Sequence, residues 1–138
     1  KPLLGYTLPP NDWFATKLML SIAIGRVGCV LAGCCRGVPN THGPSIHYAD
    51  GIARHPVSLY ELLFHVVAFG VLYALYRRGQ ARGRLFAGYL VAYGLFRFAL
   101  EPLRETPKLM AGASVYQLAC VLLVVGGLWS WRRELERA

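Results

Sequence analysis

The sequence has little charge, and negative charge is especially scarce. Only 16% of its 138 residues are charged, and 7 acidic residues stand against 15 basic ones. A soluble domain carries about 25% charged residues, so low charge together with 55% hydrophobic content favours a membrane protein. The net charge of +8 would suit nucleic-acid binding only if it formed a soluble basic face. The basic residues instead flank apolar stretches, so we expect a membrane and no nucleic-acid partner.

Several other features are missing. Residues 1–5 lack the charged and apolar regions of a signal peptide, and the chain does not begin with Met. Without that Met, the chain is expected to be a fragment whose upstream portion is missing. Internal repeats are absent, so we expect one transmembrane domain over residues 1–138. No Cys-x-x-Cys motif is present to support thiol redox chemistry. The four cysteines lie in or beside apolar runs, unlike the disulfide framework of a secreted domain.

Four apolar stretches have lengths that suit membrane crossing. About 20 helical residues at 1.5 Å each span a hydrocarbon core of roughly 30 Å. We therefore predict an all-α, polytopic membrane helix bundle with about four transmembrane helices. Gly25, Gly28 and Gly33 are expected to let neighbouring helices approach closely, and the polar loop at about 36–55 is expected outside the bilayer. The predicted segments cover residues 13–35, 56–76, 85–103 and 109–131.

Arginine-rich segments determine the predicted orientation. Residues 77–84 and the tail after Trp131 lie on one side if the last three segments span, and positive residues favour the cytoplasm. The C-terminus is then cytoplasmic and the loop 36–55 is extracytoplasmic. The outward ends of the first three segments converge in this arrangement. We expect the convergence to bring together Arg26, Glu61, Arg97, Glu101 and the loop histidines.

Charged residues inside the apolar stretches are the strongest functional signal. A charge near the bilayer centre costs roughly 3 kcal/mol on insertion scales, so such residues usually face a bundle interior and have a function. Arg26 and Arg97 offer planar guanidinium groups that bind phosphate or carboxylate in a bidentate manner. For Arg26, a snorkelling or ion-paired structural role remains open. For the deeper Arg97, we favour a functional role.

Two further patterns have competing interpretations. Glu61 and His65 lie one helical turn apart and could relay a proton, although we favour a satisfied contact between helices for His65. A second group alternates in sign at positions i, i+4, i+7 and i+8, and such a stripe can pair with itself. We favour that self-neutralising role for its last two members, Arg104 and Glu105. The stripe consists of Arg97, Glu101, Arg104 and Glu105.

The loop also holds residues that could bind a metal. Zinc prefers paired ligands at regular short spacing. Adjacent cysteines are poorly arranged to share one tetrahedral ion, and the histidines are irregularly spaced, so we expect no metal and no cofactor. The residues considered are Cys34, Cys35, His42, His47, Asp50 and His55.

Three blocks of sequence combine these residues. Residues 25–37 read Gly-Arg-Val-Gly-Cys-Val-Leu-Ala-Gly-Cys-Cys-Arg-Gly, and residues 54–61 read Arg-His-Pro-Val-Ser-Leu-Tyr-Glu. Residues 93–105 read Tyr-Gly-Leu-Phe-Arg-Phe-Ala-Leu-Glu-Pro-Leu-Arg-Glu. In order and register, these blocks resemble the signatures of the prolipoprotein diacylglyceryl transferase family. The blocks span most of the chain, and together they are more specific than any one alone.

The resemblance implies an enzyme of the bacterial inner membrane with seven spans, of which this chain holds the last four. Such enzymes move the diacylglyceryl group of phosphatidylglycerol onto the thiol of a lipobox cysteine in a preprolipoprotein. Arg26 and Arg97 would then hold the lipid phosphate and stabilise charge as glycerol phosphate leaves. The implied catalytic residues are Arg26, Arg97, Glu101 and Cys34, and the implied substrate-binding residues are Arg26, Cys29, Gly37, His55, Tyr60, Glu61, Tyr93, Arg97 and Arg104.

The chain departs from the family pattern in three ways. Cys29 replaces an Asn of the signature, Cys34 replaces a Glu, and the family's His-Gly-Gly segment is absent from this chain. Two alternatives therefore stay open. The protein could use its own cysteines as covalent acceptors in other lipid-transfer chemistry. It could also be a lipid-binding membrane subunit without catalytic activity.

Overall fold

The computed structural model describes residues 12–106 and 114–136, and this part of the chain is mainly helical. A one-turn 3-10 helix, Glu101–Leu103, directly follows the third helix. Two short antiparallel strands, β1 (Ile46–His47) and β2 (Ala53–Arg54), form a ribbon in the loop between the first two helices. The four helices are α1 (Asp12–Leu31), α2 (Val57–Arg77), α3 (Leu85–Leu100) and α4 (Val115–Glu136).

The prediction of an all-α membrane bundle is confirmed, although α3 is shorter than expected. Helices α1, α2 and α4 are long and apolar enough to cross a membrane. Helix α3 has 16 residues, which extend about 24 Å. It ends before residue 103 because Pro102 has no N–H to continue the α-helical hydrogen bonds.

Two other helix boundaries differ from the predicted segments. Helix α1 ends at Leu31 rather than at residue 35, because Gly33 and Cys35 adopt left-handed φ values of 60° and 56°. The predicted start at residue 109 lies outside the described residues. Helix α4 begins after Ser114, whose Oγ accepts a hydrogen bond from the Gln117 N–H while the Gln117 side chain accepts one from the Ser114 N–H. This reciprocal pair is a capping box.

Close packing of α3 against α4 depends on two glycines. A Cβ on Gly94 would lie 2.7 Å from a methyl group of Val124, and one on Gly127 would lie 2.8 Å from a methyl group of Val91. Only a small residue allows the two backbones to approach this closely. Within the described residues, nothing lies within 4 Å of a Cβ placed on Gly25 or Gly28. Among the described helices these two glycines therefore make no close packing contact, and their expected role in helix packing stays a prediction.

The apolar core joins α1, α2 and α3 at the end of the bundle that holds the α2–α3 turn. Asp12 strengthens this end, because its carboxylate accepts hydrogen bonds from the backbone N–H groups of Gly83 and Leu85. An acidic group at a helix N-terminus satisfies free N–H donors and interacts favourably with the helix dipole. Asp12 therefore connects the start of α1 to the start of α3. The buried core residues are Ala15, Met19, Leu72, Leu85 and Tyr89.

The loop between α1 and α2 folds back onto the chain that follows α3. The Val38 N–H donates to the Leu103 carbonyl at 3.0 Å, and Gly37 forms a backbone bridge with Arg104. A Cβ on Gly37 would lie 2.6 Å from the His55 carbonyl oxygen, so the contact requires glycine. This loop and the segment after α3 together cover one end of the helices.

Candidate functional site

Glu61 is the centre of a buried charge cluster. It lies in the second turn of α2 and its side chain is fully buried, at 0% exposure. Its Oε2 is 2.7 Å from Arg26 Nη2, and its Oε1 is 3.4 Å from Arg97 Nε and 3.3 Å from Arg104 Nη1. One carboxylate therefore joins α1, α3 and the segment that follows α3.

Glu101 is the second carboxylate of the cluster. Its Oε2 is 3.0 Å from Arg97 Nη1, while its Oε1 accepts hydrogen bonds from Ser114 Oγ at 2.6 Å and Thr106 Oγ1 at 2.7 Å. Arg97 is consequently held between two carboxylates, one on each side of its guanidinium group. Because Ser114 caps α4, Glu101 also connects the cluster to that helix.

The described residues of this cluster carry excess positive charge. Three guanidinium groups face two carboxylates, which leaves one positive charge unmatched. Buried charges are unfavourable unless they are paired, so the excess favours binding of an anion. The Arg26 side chain is 20% exposed, compared with 9% for Arg97. Arg26 is therefore the guanidinium group that an incoming anion meets most readily.

Arg104 and Glu105 do not neutralise a helix end as the sequence predicted. Helix α3 has already ended, and Arg104 has an extended backbone with φ −100° and ψ 145°. Arg104 reaches Glu61, while Glu105 Oε2 lies 2.8 Å from Arg54 Nη1. In the predicted stripe, only the Arg97–Glu101 pair forms with helical spacing.

His65 lies beside the cluster but does not pair with Glu61. Its side chain is fully buried, and neither ring nitrogen has a hydrogen-bond partner among the described residues. Its ring centre is 5.3 Å from that of Tyr93, and Tyr93 in turn stacks on Tyr89 at 5.8 Å. The favoured interpretation of His65 as a satisfied polar contact is therefore wrong, and the contacts of its ring are aromatic.

His55 and Tyr60 form a pair at the start of α2, next to Gly37. His55 Nδ1 lies 3.3 Å from Tyr60 Oη, which is hydrogen-bond distance. The His55 backbone N–H donates to Val38, and this places the pair under the folded-back loop. These predicted substrate-binding residues contact one another, and no ion pair of the arginine cluster among the described residues includes them.

Arg54 is a buried residue that sequence reasoning missed. Its guanidinium group lies 2.8 Å from Glu105 and 3.3 Å from Asp50, and it donates to the Gly37 carbonyl at 3.4 Å. A hydrogen bond from the Ile52 N–H, and then the charge of Arg54, lower the pKa of the Asp50 carboxyl group. Arg54 thus connects the loop to the segment after α3. The sequence feature that could have identified Arg54 is its position beside His55 in the family-like block of residues 54–61.

Three cysteine thiols converge next to Arg26. The Sγ atoms of Cys29, Cys34 and Cys35 lie within 4.8 Å of one another, and Arg26 Nη1 is 4.0 Å from Cys35 Sγ. Hydrogen bonds with the Cys29 and Cys35 thiols raise the pKa of Cys34 to about 11. A thiol with this pKa is protonated near neutral pH and is a weak nucleophile. The raised pKa does not favour Cys34 as the covalent acceptor, and the site roles implied for Cys29 and Cys34 stay predictions.

The loop histidines do not join the cysteines. His42 Nδ1 contacts Thr41 Oγ1 at 2.8 Å, His47 lies in β1, and Asp50 pairs with arginines. Within residues 12–106 and 114–136, none of them belongs to a group of three potential metal ligands. The expected convergence of the charged residues at 26, 61, 97 and 101 is present, whereas the histidines remain outside it.

Comparison with known proteins places these residues within one family profile. The profile described as "Prolipoprotein diacylglyceryl transferase" matches residues 7–133. The phosphatidylglycerol–prolipoprotein diacylglyceryl transferase of Bordetella parapertussis is 34% identical over 125 residues, covering 85% of this chain and 48% of the relative. That of Paracidovorax citrulli is 34% identical over 135 residues, covering 89% and 50%. The chain spans about half the length of these curated relatives.

A third curated relative is similar over a comparable length. Phosphatidylglycerol–prolipoprotein diacylglyceryl transferase 2 of Clostridium perfringens is 30% identical over 125 residues, covering 85% of this chain and 48% of that protein. No solved structure matches the chain. The similarity therefore extends through nearly the whole of this sequence, including every residue of the arginine cluster.

Proposed function

The chain belongs to the prolipoprotein diacylglyceryl transferase family, and on that premise we propose that it forms the phosphate-binding part of a membrane transferase. The proposed donor is phosphatidylglycerol, and the proposed acceptor is the lipobox cysteine thiol of a preprolipoprotein. One observation carries the proposal. Arg26 and Arg97, from different helices, meet on the buried carboxylate of Glu61 in a cluster with excess positive charge.

The geometry supports different roles for Arg26 and Arg97. Arg26, the more exposed, binds the lipid phosphate from the accessible side of the cluster. Arg97 is held by two carboxylates, so its orientation is set before substrate arrives. Donors that are positioned in advance stabilise developing charge without reorganising during the reaction.

The reaction places new charge where these guanidinium groups can act. The acceptor thiol releases its proton to water, and its sulfur attacks the glyceryl carbon that is esterified to phosphate. The carbon–oxygen bond breaks, and glycerol phosphate leaves with the electron pair and one additional negative charge. Arg26 and Arg97 stabilise that charge, because bidentate guanidinium–phosphate contacts strengthen as the phosphate becomes more negative.

Replacement of the two arginines tests this role. In the full-length protein, we expect Arg26→Ala and Arg97→Ala each to lower kcat/KM by about 100-fold or more, as for loss of one preorganised donor. Transfer from phosphatidylglycerol vesicles to a lipobox peptide is the measurement. Arg77→Ala is the matched control, since Arg77 is exposed at the opposite end of α2. Wild-type transfer by both cluster variants would remove these arginines from the mechanism.

A binding measurement separates the transferase from a lipid-binding subunit. The wild-type protein is expected to bind phosphatidylglycerol vesicles and to transfer diacylglyceryl to the peptide. Binding that depends on Arg26 and Arg97, without transfer to any lipobox peptide, would instead identify a non-catalytic lipid-binding protein. The same arginine cluster would then explain binding alone.

We also propose an inner-membrane location with the loop 36–55 outside and the C-terminus in the cytoplasm. The two basic segments, residues 77–84 and the tail after Trp131, lie at the same end of the bundle, because the Arg84 guanidinium group is 5.6 Å from the Trp131 ring centre. Glu61 and the folded-back loop lie at the other end of α2. Positive residues favour the cytoplasmic side, which would direct the arginine cluster toward the outer leaflet.

A further inference from the structure

The three converging thiols have no part in the mechanism proposed above. We propose that Cys29, Cys34 and Cys35 bind a divalent thiophilic metal ion of the Zn²⁺ class. The three proposed ligands differ from the carboxylates and arginines of the phosphate-binding cluster, although Arg26 lies beside both groups. The fourth cysteine, Cys120, lies buried in α4 and is not part of the group.

The end of α1 brings the three sulfurs together. Cys29 lies in the last helical turn, and its carbonyl accepts both the Cys34 N–H at 3.2 Å and the Cys34 thiol at 3.6 Å. Cys35 follows with a left-handed φ of 56°. Ser58 Oγ also donates to the Cys34 carbonyl at 3.2 Å, which connects this turn to α2. Helix termination and an interhelical contact therefore position thiols that are not evenly spaced in sequence.

The sulfur separations suit a tetrahedral thiolate site. With Zn–S bonds of about 2.3 Å, tetrahedral geometry places sulfurs about 3.8 Å apart. The three sulfurs here lie within 4.8 Å of one another, so small side-chain rotations would bring them to one ion. Thiolates select soft or borderline ions and do not favour Mg²⁺ or Ca²⁺. The exposed Cys34 gives the ion a route of entry and leaves one side open for a fourth ligand.

Charge favours a divalent ion over a monovalent one. Three thiolates around a divalent ion leave one negative charge, and Arg26 Nη1 lies 4.0 Å from Cys35 Sγ, where it can offset that charge. A monovalent ion such as Cu⁺ would leave two negative charges. Because the thiolate and not the thiol is the metal ligand, metal binding releases protons.

Cadmium provides a direct probe of the site. The full-length protein, reduced and metal-free in lipid nanodiscs, is titrated with Cd²⁺ while thiolate-to-metal absorption is followed, and Zn²⁺ affinity is measured by competition with a chelator. We expect one ion per chain. Cys29→Ser, Cys34→Ser and Cys35→Ser should each weaken binding by more than about 100-fold, since loss of a ligand exceeds the effect of losing an outer-shell partner.

Cys120→Ser is the matched control and should bind cadmium as the wild type does. Unchanged melting temperatures of the variants would assign the loss of binding to the missing sulfur rather than to unfolding. Absence of stoichiometric binding, or an equal loss in Cys120→Ser, would overturn the proposal. A disulfide among the three cysteines, found by peptide mass mapping of protein isolated without reductant, would overturn it as well. Because the titration measures metal binding and no transfer to a peptide, failure of the transferase proposal would leave this result unaffected.

Discussion

At the scale of single residues, Glu61 controls the arrangement of the arginines. Its two oxygens contact Arg26, Arg97 and Arg104, although the residue is fully buried. Removing one member of a buried ion pair leaves the other charge uncompensated, which costs about 3–5 kcal/mol. We therefore expect Glu61 to contribute to stability as well as to the orientation of the arginines that are proposed to bind phosphate.

The first residue-scale prediction concerns Glu61→Gln. We expect it to lower the free energy of unfolding by about 3 kcal/mol, because three guanidinium groups would then face one carboxylate. Denaturation in a mild detergent, followed by circular dichroism, measures the change. Glu105→Gln is the control, since its side chain is 58% exposed, and an exposed pair contributes at most about 1 kcal/mol. Equal effects of the two substitutions would show that Glu61 is not the centre of the cluster.

At the scale of secondary-structure elements, hydrogen bonds and ion pairs near the ends of the helices determine how these ends meet. Asp12 caps the start of α3, and the Ser114–Gln117 capping box starts α4. Arg54 holds the loop between α1 and α2 against the segment after α3. These contacts join elements that are distant in sequence, so their loss would loosen particular element junctions.

Asp12→Ala should destabilise the bundle at the α1–α3 junction. We expect a loss of about 1–2 kcal/mol in unfolding free energy, because the free N–H groups at the start of α3 lose their acceptor. Asp12→Asn retains an oxygen acceptor and should recover part of that loss. Thermal melting of the purified protein compares the two variants. A melting temperature unchanged by the alanine would contradict the capping role.

Arg54→Ala should release the loop without unfolding the helices. Asp50, Glu105 and the Gly37 carbonyl would all lose a common donor. We therefore expect faster proteolysis within residues 36–55, with unchanged helical content. Arg36→Ala, at an exposed residue that also pairs with Asp50, is the control. If proteolysis were as slow in the Arg54 variant as in the control, another contact would hold the loop.

Only strongly acidic conditions should weaken the same loop contact. The pKa of Asp50 is lowered from its ordinary value of about 3.9, so its ion pairs with Arg54 and Arg36 are complete at neutral pH. Their contribution is present above the ordinary value and is lost as pH falls through the lowered pKa. The loop should therefore remain closed under mildly acidic conditions.

At the scale of the whole molecule, the bundle has two chemically different ends. The α2–α3 turn and the C-terminal part of α4 carry arginines that lie outside the charge cluster, whereas the other end holds the buried cluster beneath a folded loop. Positive residues retained in the cytoplasm would place the two ends on opposite sides of the membrane. The arginines that are proposed to bind phosphate would then face lipids of the outer leaflet.

Single-cysteine labelling tests this orientation. In a full-length background with the native cysteines changed to serine, we expect Thr41→Cys to react with a membrane-impermeant maleimide in intact spheroplasts. Gln80→Cys, which lies in the basic turn, should react only after the membrane is opened. Both positions are exposed, so access to the reagent decides the outcome. Labelling of Gln80→Cys in intact spheroplasts would reverse the proposed orientation.

Much of the cluster was predictable because charge is conspicuous in an apolar segment. Arg26, Arg97 and Glu101 each interrupt a hydrophobic run, and helical spacing correctly paired the last two. The partner of Arg104 was not predictable, because helical spacing no longer applies after α3 ends. The two-residue strands of the loop were also too short to produce a periodic pattern in the sequence.

The cysteine cluster also could not be predicted from the spacing of its residues in the sequence. Cys34 and Cys35 are adjacent, and their spacing alone argued against a shared metal ion. The decisive third thiol belongs to Cys29, which comes within reach because α1 ends at Leu31 and the chain turns back through left-handed residues. Sequence reasoning extended the first segment to residue 35, and a continuous helix would have separated these side chains.

Membrane helices and intramembrane charges followed from the sequence itself, because the hydrophobic effect accumulates along a continuous segment and each buried charge has a large local cost. The identity of each ion pair was decided only by the tertiary structure. Electrostatic attraction depends on distances of a few ångströms between side chains on different elements. Those distances arise from helix ends, caps and the folded-back loop, which bring Arg26, Arg97 and Arg104 to one glutamate.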